Sequence, residues 1–216
     1  MAFFITFEGI EGCGKSTQVG LLAQRLTARQ TPVLTTREPG GCPIANAIRQ
    51  ILLNPANTAL VPRAELLLYA AARAQHVAEV VVPALQQGSI VICDRFTDAT
   101  LAYQGFGRGL DLDLIHTLNQ VATGGVMPDL TLLLDMPPTE GLKRAIQRNT
   151  ESALNHEERF EMESLDFHEK VRSGYLQLAS QDARFRIIDA QGDIATVADR
   201  INRTVDEFTA TRKAIP

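Results

Sequence analysis

The sequence has few cysteines and no excess of basic residues, and each of these features excludes certain classes of protein. Its three cysteines, Cys13, Cys42 and Cys93, lie far apart and show no CxxC or Cys/His spacing. They argue against a disulfide framework or a zinc site and favour reduced thiols in a cytoplasmic protein. The net charge of -4 argues against a protein that wraps duplex nucleic acid, because such proteins need a basic face.

The sequence also lacks an uncharged apolar run long enough for a membrane span. Its most apolar long segment, residues 64–85, contains Glu65, Arg73 and Glu79. These charges exclude a transmembrane helix and predict a buried helix of a globular domain. With 216 residues, 45% of them hydrophobic and 21% charged, the chain is expected to form one domain over 1–216.

Short apolar runs alternate with longer helical patterns along the chain. Strands are predicted at 3–8, 32–36, 89–94, 129–135 and 185–189. Helices are predicted at 15–30, 44–53, 63–87, 111–123, 138–148, 161–180 and 194–209, with Pro83 as a possible kink. Because the strands are continuously apolar, both faces should be buried, as in a parallel sheet with helices on either side. The predicted fold class is therefore α/β, with three layers.

The stretch TFEGIEGCGKST, residues 6–17, matches the phosphate-loop pattern G-x-x-x-x-G-K-[ST] between a predicted strand and a predicted helix. Backbone N–H groups of such a loop bind phosphates, its lysine adds a positive charge, and its hydroxyl can bind Mg²⁺. The residues concerned are Gly9, Ile10, Glu11, Gly12, Cys13, Gly14, Lys15, Ser16 and Thr17. For Cys13 we expect a small packing residue that leaves its N–H free.

The remaining sequence lacks the N-K-x-D motif of signalling GTPases and the L-S-G-G-Q signature of transporter ATPases. A phosphate loop does not define a reaction. Two classes of function therefore stay open at this point. One is a small phosphotransferase, and the other is a compact ATP-driven switch without a phosphoacceptor.

Charged residues follow two further predicted strands, at the sheet edge where α/β proteins bind ligands. Arg37 follows the second strand, while Asp94 ends the third and Arg95 follows it. Arginine binds phosphate through a planar fork, so these residues together with Lys15 suit two phosphate groups that face each other. Asp94 is expected near a metal ion, and Asp135, at the end of the fourth strand, is the competing candidate.

Other interpretations of these residues stay open. Arg37 and Arg95 could form structural ion pairs, with Glu38 or Asp98 as partners. Tyr69 and Arg73 are four residues apart on one predicted helix and so share a face. A ring and a guanidinium on one face can stack on a base and bind its edge, but such a pair also occurs as ordinary packing.

Five segments resemble bacterial thymidylate kinases in order and spacing: FEGIEGCGKST, TREPGG, LLLYAAARAQ, DRFTDATLAYQGFGRG and PDLTLLLDMPPTEGLKRA. The resemblance covers nearly the whole chain. It implies a five-stranded parallel sheet, a mobile lid at about 144–160, and usually a homodimer. It also implies transfer of the γ-phosphate of ATP to dTMP with Mg²⁺, and no nucleic-acid or membrane partner.

The same resemblance assigns roles to individual residues. Ser16 and Asp94 would lie near Mg²⁺, and Gln191 belongs to the adenine-side loop after the last strand. Tyr69 takes the position of a stacking phenylalanine, so its hydroxyl needs a partner, and Tyr103 would favour deoxyribose. The acceptor residues as a whole are Glu11, Arg37, Arg49, Tyr69, Arg73, Arg95, Thr100, Tyr103 and Gln104.

A transition-state arginine is expected from the lid because the phosphate loop contains none. Arg148 is predicted to be the main one, with Arg144 and Arg159 as weaker candidates. Glu11, the carboxylate within the phosphate loop, is expected to face the acceptor and its 3′-hydroxyl rather than ATP. The alternatives are a solvated Glu11 or one paired with an arginine. The alternative enzyme is another nucleoside monophosphate kinase.

Overall fold

The computed structural model describes residues 2–151 and 159–213. A five-stranded sheet is built from β1 (Phe3–Glu8), β2 (Val33–Arg37), β3 (Ile90–Asp94), β4 (Leu130–Asp135) and β5 (Phe185–Asp189). All its pairings are parallel, and the strand order is β2-β3-β1-β4-β5. The predicted α/β fold class is thus confirmed, with each predicted strand within a residue or so of its observed position.

Helices connect the strands and cover both faces of the sheet. They are α1 (Lys15–Ala28), α2 (Pro43–Leu53), α3 (Pro62–His76), α4 (Val82–Gln86), α5 (Thr97–Thr100), α6 (Leu112–Thr123), α7 (Pro138–Glu151), α8 (Leu165–Gln181) and α9 (Ile194–Lys213). The central strands β1, β3 and β4 are buried along nearly their whole length, as their uninterrupted apolar sequences predicted. Among the described residues, no helix is long and apolar enough to cross a membrane.

The helix predicted at 63–87 is interrupted by a π-helical turn. After α3, residues Val77–Val81 form this turn, and α4 follows with Pro83 in its first turn. Proline has no N–H and its ring collides with the carbonyl four residues earlier, so regular α-helical bonding cannot continue through it. The wider turn accommodates the proline within a continuous helical path, just before the position where a kink was predicted from the sequence.

A second π-helical stretch was missing from the predicted helices. Residues Leu101–Gly107 form it directly after α5, whereas the helical pattern was expected to begin at 111. Its residues are almost all buried, so it shows little of the amphipathic periodicity that identifies a surface helix. This stretch, called the π segment below, carries Tyr103 and Gln104 into the interior.

The predicted lid at about 144–160 lies only partly within the described residues. Helix α7 covers its first part as far as Glu151, and the chain resumes at Arg159. Residues 152–158 lie outside the described part. The segment 159–163, called the lid foot below, precedes α8 and packs against the π segment through Phe160 and Tyr103, whose ring centroids are 5.4 Å apart.

Candidate active site

The phosphate loop joins β1 to α1 in a conformation that only its glycines permit. Gly9 has φ of 134° and Gly12 has φ of 69°, both outside the range that other residues favour. A Cβ on Gly9 would lie 2.4 Å from the carbonyl oxygen of Leu134, and one on Gly12 would lie 1.9 Å from that of Gly141. The loop is therefore held tightly between β4 and the first turn of α7.

Lys15 and Ser16 begin α1 with their polar groups directed into the loop and towards β3. The Lys15 ammonium donates hydrogen bonds to the carbonyls of Gly9 at 3.0 Å and Ile10 at 2.7 Å. The Ser16 hydroxyl donates to a carboxylate oxygen of Asp94 at 2.6 Å. Hydroxyl and carboxylate oxygens are the ligands that Mg²⁺ prefers, so Ser16 and Asp94 could bind this ion together with phosphate oxygens of a nucleotide.

Asp135, the competing candidate for a metal ligand, has a different partner. Both of its carboxylate oxygens accept hydrogen bonds from Arg172 on α8, at 2.7 and 2.8 Å. This bidentate ion pair satisfies the charge and geometry of the carboxylate. Its position beside Arg172 makes Asp135 a link between β4 and α8, whereas Asp94 is the acidic residue next to the loop hydroxyl.

Arg95 and Glu11 form an ion pair between the phosphate loop and the end of β3. The guanidinium Nη2 of Arg95 donates to Glu11 at 3.0 Å and to the Tyr103 hydroxyl at 2.9 Å, while Nη1 donates to the Gly9 carbonyl at 2.9 Å. Arg95 has φ of 70°, an unfavourable value for a residue with a side chain. This backbone geometry directs the arginine back across the loop.

The other contacts of Glu11 keep its carboxylate charged. Burial alone would raise its pKa, but Arg95, His168, Lys15 and the Tyr103 hydroxyl together lower the pKa to about 2. Tyr103 donates to the carboxylate at 2.6 Å, and Nδ1 of His168 lies 3.2 Å from it. Glu11 is thus neither solvated nor directed towards the backbone N–H groups of the loop. It lies on the Arg95 side, and it does pair with an arginine.

Arg73 lies at the centre of a buried polar network beneath the site. Its guanidinium donates to Glu38 at 2.7 Å, to Asn119 at 2.7 Å and to the Thr100 hydroxyl at 3.0 Å. The second oxygen of Glu38 contacts His76 at 2.8 Å. The network fixes Arg73 at the cavity wall, because each arm of the guanidinium has a partner.

The structure shows whether Arg37 and Arg95 form the ion pairs with Glu38 or Asp98 that the sequence left open. Glu38 binds Arg73 rather than Arg37, and Asp98 binds Arg184 through both carboxylate oxygens, at 2.6 and 2.7 Å, rather than Arg95. The predicted partners were therefore wrong: Glu38 and Asp98 pair with other arginines, and Arg95 pairs with Glu11. Arg37 itself is exposed at the rim of the site.

One cavity of about 410 Å³ brings together most of the residues selected from the sequence. Its walls include both the phosphate loop and the residues after β2 and β3. The predicted site residues that line it are Glu11, Gly12, Gly14, Lys15, Ser16, Thr17, Arg37, Arg49, Tyr69, Arg73, Asp94, Arg95, Thr100, Tyr103, Gln104 and Arg148. Tyr69 is half-buried there. The pKa of its phenol is raised mainly by burial and, to a smaller extent, by the negative charge of Glu65.

Other predicted residues lie outside this cavity wall. Arg144 is exposed on α7, one turn before Arg148, whose guanidinium contacts Glu161 at 2.8 Å. Gln191 follows β5 and donates to Glu140 at the start of α7, at 2.8 Å. Arg159 binds the buried Glu65 at 2.6 Å. Gly9, Ile10 and Cys13 lie beneath the loop surface and are buried.

Several residues that shape the site were not selected from the sequence. Glu8 accepts hydrogen bonds from the Phe96 N–H and the Tyr175 hydroxyl, both at 2.7 Å, and Tyr175 also contacts Arg95 at 3.2 Å. Phe160 of the lid foot lines the cavity. Glu8 had a visible signal, since a carboxylate directly before a phosphate loop ends an otherwise apolar strand. Tyr175 had none, because it reaches the site only through packing of α8.

The parallel sheet, the phosphate loop and a facing cluster of arginines define a nucleotide-binding phosphotransferase of the α/β class. Residues 7–201 match the family model described as thymidylate kinase. The chain is 60% identical over 214 residues to a thymidylate kinase of Trichlorobacter lovleyi, covering 99% of both chains. It is 65% identical over 191 residues to one of Geotalea daltonii, covering 88% of this chain and 89% of that one.

A solved structure shows the same architecture. The crystal structure of thymidylate kinase from Ehrlichia chaffeensis superposes with a TM-score of 0.75 at 34% identity, covering 95% of this chain and 98% of that one. The chain belongs to the thymidylate kinase family, and it is an enzyme, as the resemblance of its motifs predicted.

Proposed function

We propose that this enzyme transfers the γ-phosphoryl group of ATP to dTMP, with Mg²⁺ bound between the phosphates and the protein. The observation that carries the proposal is the single cavity lined by the phosphate loop on one side and by Arg37, Arg73 and Arg95 on the other. Phosphoryl transfer depends on positioning and charge neutralisation more than on covalent chemistry. A cavity shared by donor and acceptor would allow the in-line arrangement that this transfer requires.

On the donor side, the loop N–H groups and Lys15 would bind the ATP phosphates, with the α1 N-terminus adding favourable electrostatics. Ser16 and Asp94 would hold Mg²⁺, which neutralises charge on the phosphate oxygens. In the described residues, no cluster of three or more His, Cys, Asp or Glu side chains is arranged to bind a metal. A site of two protein oxygens completed by nucleotide phosphates and water is the usual arrangement for Mg²⁺ in such enzymes.

On the acceptor side, Arg95 and Arg37 would bind the dTMP phosphate, with Arg49 nearby. Arg49 also donates to the carbonyl of Pro39 at 2.7 Å, which holds it at the cavity wall. Tyr69 would stack on the thymine ring, and Arg73 and Thr100 would face its edge. The Tyr103 hydroxyl is bound to Glu11 and Arg95, and we expect it to exclude a ribose 2′-hydroxyl.

The adenine of ATP would lie beside the loop after β5, near Gln191.

Exposed apolar side chains on the two adjacent helices α3 and α6, among them Leu67 and Val121, suggest the contact face of a homodimer. Light scattering on the purified protein tests the dimer. A monomeric mass at micromolar concentration would contradict it.

A coupled assay with ATP and a series of monophosphates tests the acceptor. We expect dTMP to give the highest kcat/KM, dUMP to follow, and ribo-TMP, dCMP and AMP to be poor. If AMP or dCMP were the best acceptor, another nucleoside monophosphate kinase would be the correct assignment. ATP hydrolysis that no monophosphate changes would instead indicate a nucleotide-driven switch.

A further inference from the structure

Glu65 is a fully buried carboxylate behind the cavity wall that Gln104 lines, and three side chains surround it. Arg159 of the lid foot contacts its Oε2 at 2.6 Å, and Arg108 at the end of the π segment contacts its Oε1 at 3.4 Å. The amide Nε2 of Gln104 donates to the same Oε1 at 2.7 Å. Glu65 itself is 0% exposed.

The charge of Glu65 fixes the orientation of the Gln104 amide. The carboxylate pairs with two guanidinium groups and offers acceptor oxygens to the amide. A flipped Gln104 would place its carbonyl oxygen against a carboxylate oxygen at 2.7 Å, which is strongly repulsive. The NH₂ group therefore faces Glu65, and the carbonyl oxygen is the amide atom left for a ligand at the cavity wall that Gln104 lines.

A carbonyl oxygen held in this way selects a base that offers a hydrogen there. Thymine and uracil carry an imide N–H on their Watson–Crick edge, whereas the corresponding ring nitrogen of cytosine is an acceptor. Two acceptors facing each other in a buried site leave both without a partner, and this costs more than an ordinary hydrogen bond contributes.

We propose that Glu65 is a positioning residue that sets base selectivity by holding the Gln104 carbonyl oxygen towards the imide N–H of the acceptor base. The inference rests on the proposed function, since it presumes that the base lies between Tyr69 and Gln104. Glu65 touches no substrate itself. It acts through Gln104, and Arg108 and Arg159 pair with its two carboxylate oxygens.

The test is the isosteric substitution Glu65→Gln, which can both donate and accept and so lets the Gln104 amide turn over. We expect the ratio of kcat/KM for dTMP to that for dCMP to fall by at least about 10-fold, as loss of one oriented buried hydrogen bond predicts. The KM for ATP should stay within about two-fold, because Glu65 lies on the acceptor side. A purely structural role would lower both efficiencies together and keep their ratio.

Glu163→Gln is the matched control. Glu163 contacts Arg108 at 2.6 Å, as a second carboxylate on the same guanidinium. The control substitution removes one negative charge from the same ion-pair network and should leave the dTMP to dCMP ratio within two-fold. An equal fall in this variant would show that the charge of the network, and not the Gln104 amide, sets the ratio.

Gln104→Met provides a second variant that retains Glu65 and both of its arginines. It removes the oriented carbonyl, so its ratio should fall as in Glu65→Gln, and it decides the matter if Glu65→Gln does not fold. An unchanged ratio in Gln104→Met would overturn the inference. A wild-type enzyme that prefers dCMP would instead overturn the proposed function, so the two failures are distinguishable.

Discussion

At the scale of single residues, the site depends on buried carboxylates whose surroundings give them different protonation behaviour. Glu11 faces Arg95 and has a pKa lowered to about 2, whereas burial and the nearby Asp98 raise the pKa of Glu8 to about 7. The two residues are only three positions apart. Arg95 lowers the pKa of both, and the difference lies in the other groups that the fold brings near, which are Asp98 beside Glu8 and His168 and Lys15 beside Glu11. Sequence alone does not show these neighbours.

Substitution Glu11→Ala tests the acceptor role of the loop carboxylate. Because Glu11 holds Arg95 and Tyr103, its loss should raise the KM for dTMP about 10- to 100-fold, as for a charge-assisted contact, while the KM for ATP changes by less than about three-fold. Steady-state kinetics with each substrate varied in turn gives both values. An equal rise for both substrates would contradict this role.

Glu8 makes the stability of the fold depend on pH in the neutral range. Its raised pKa means that the folded protein retains a proton that the unfolded chain releases between pH 4.5 and about 7. The free energy of unfolding must therefore decrease as the pH rises through this window, by an amount on the order of a few kcal/mol.

The substitution Glu8→Gln isolates this effect. The variant lacks the titrating group, so its free energy of unfolding should change less between pH 5 and pH 7.5 than that of the wild type. Urea titrations at several pH values measure the difference. Parallel pH profiles for the two proteins would show that Glu8 does not retain its proton on folding.

At the scale of elements, the phosphate loop and the first turn of α7 are in direct backbone contact. Gly141 on α7 lies so close to the loop that a Cβ there would be 2.5 Å from the carbonyl oxygen of Glu11. The helix that carries Arg144 and Arg148 thus begins against the loop that would bind ATP. A displacement of the loop must displace the start of α7, and the reverse, because the two backbones are packed in direct contact.

Gly141→Ala tests this contact. The added methyl must displace the loop, so we expect a rise in the KM for ATP and a loss of about 1–3 kcal/mol of stability. The control is Gly20→Ala in α1, where a Cβ would meet no atom within 4 Å. That change should leave activity unaltered and stabilise the helix slightly. Normal ATP binding by Gly141→Ala would contradict the tight contact.

The two arginines of α7 are expected to differ in their effect on turnover. Arg148 lines the cavity and Arg144 does not, so Arg148→Ala should lower kcat by about 10³-fold, as for other transition-state arginines, and Arg144→Ala only a few-fold. Single-turnover kinetics separates this loss from changes in product release. A severe loss for Arg144→Ala with a mild one for Arg148→Ala would reverse the assignment.

The elements also show how far sequence reasoning reaches. The strands were located closely because buried parallel strands are uninterrupted apolar runs, and the phosphate loop because its glycines have fixed spacing. The π segment and the Glu65 network were missed, since both depend on packing between residues distant in sequence. Arg159 of that network lies 94 residues after Glu65 in the chain, and no local pattern links them.

At the scale of the whole molecule, the cavity collects residues from the loop after β1, the ends of β2 and β3, helices α2, α3 and α7, the π segment and the lid foot. A ligand that fills it therefore connects most of the fold. Binding to the folded state alone stabilises it by about 2.7 kcal/mol at 100 times the dissociation constant.

We expect dTMP at such a concentration to raise the melting temperature by about 5–10 °C, given the usual relation between free energy and melting temperature at this chain length. The same concentration of dCMP should raise it by much less. Thermal denaturation with each nucleotide, and with deoxyribose 5-phosphate as a control for the phosphate alone, measures this. An equal shift from the control compound would show that the base contributes nothing.

The register of the sheet also governs when the site can form. Strand β1 pairs with residues 90–94 of β3 and 130–133 of β4, so both edges of the strand before the phosphate loop are supplied by much later parts of the chain. Such long-range pairing is slow, because large loops must close before any contact is gained. The phosphate loop therefore acquires its native surroundings only when residues 90–94 and 130–133 have both paired with the strand before it.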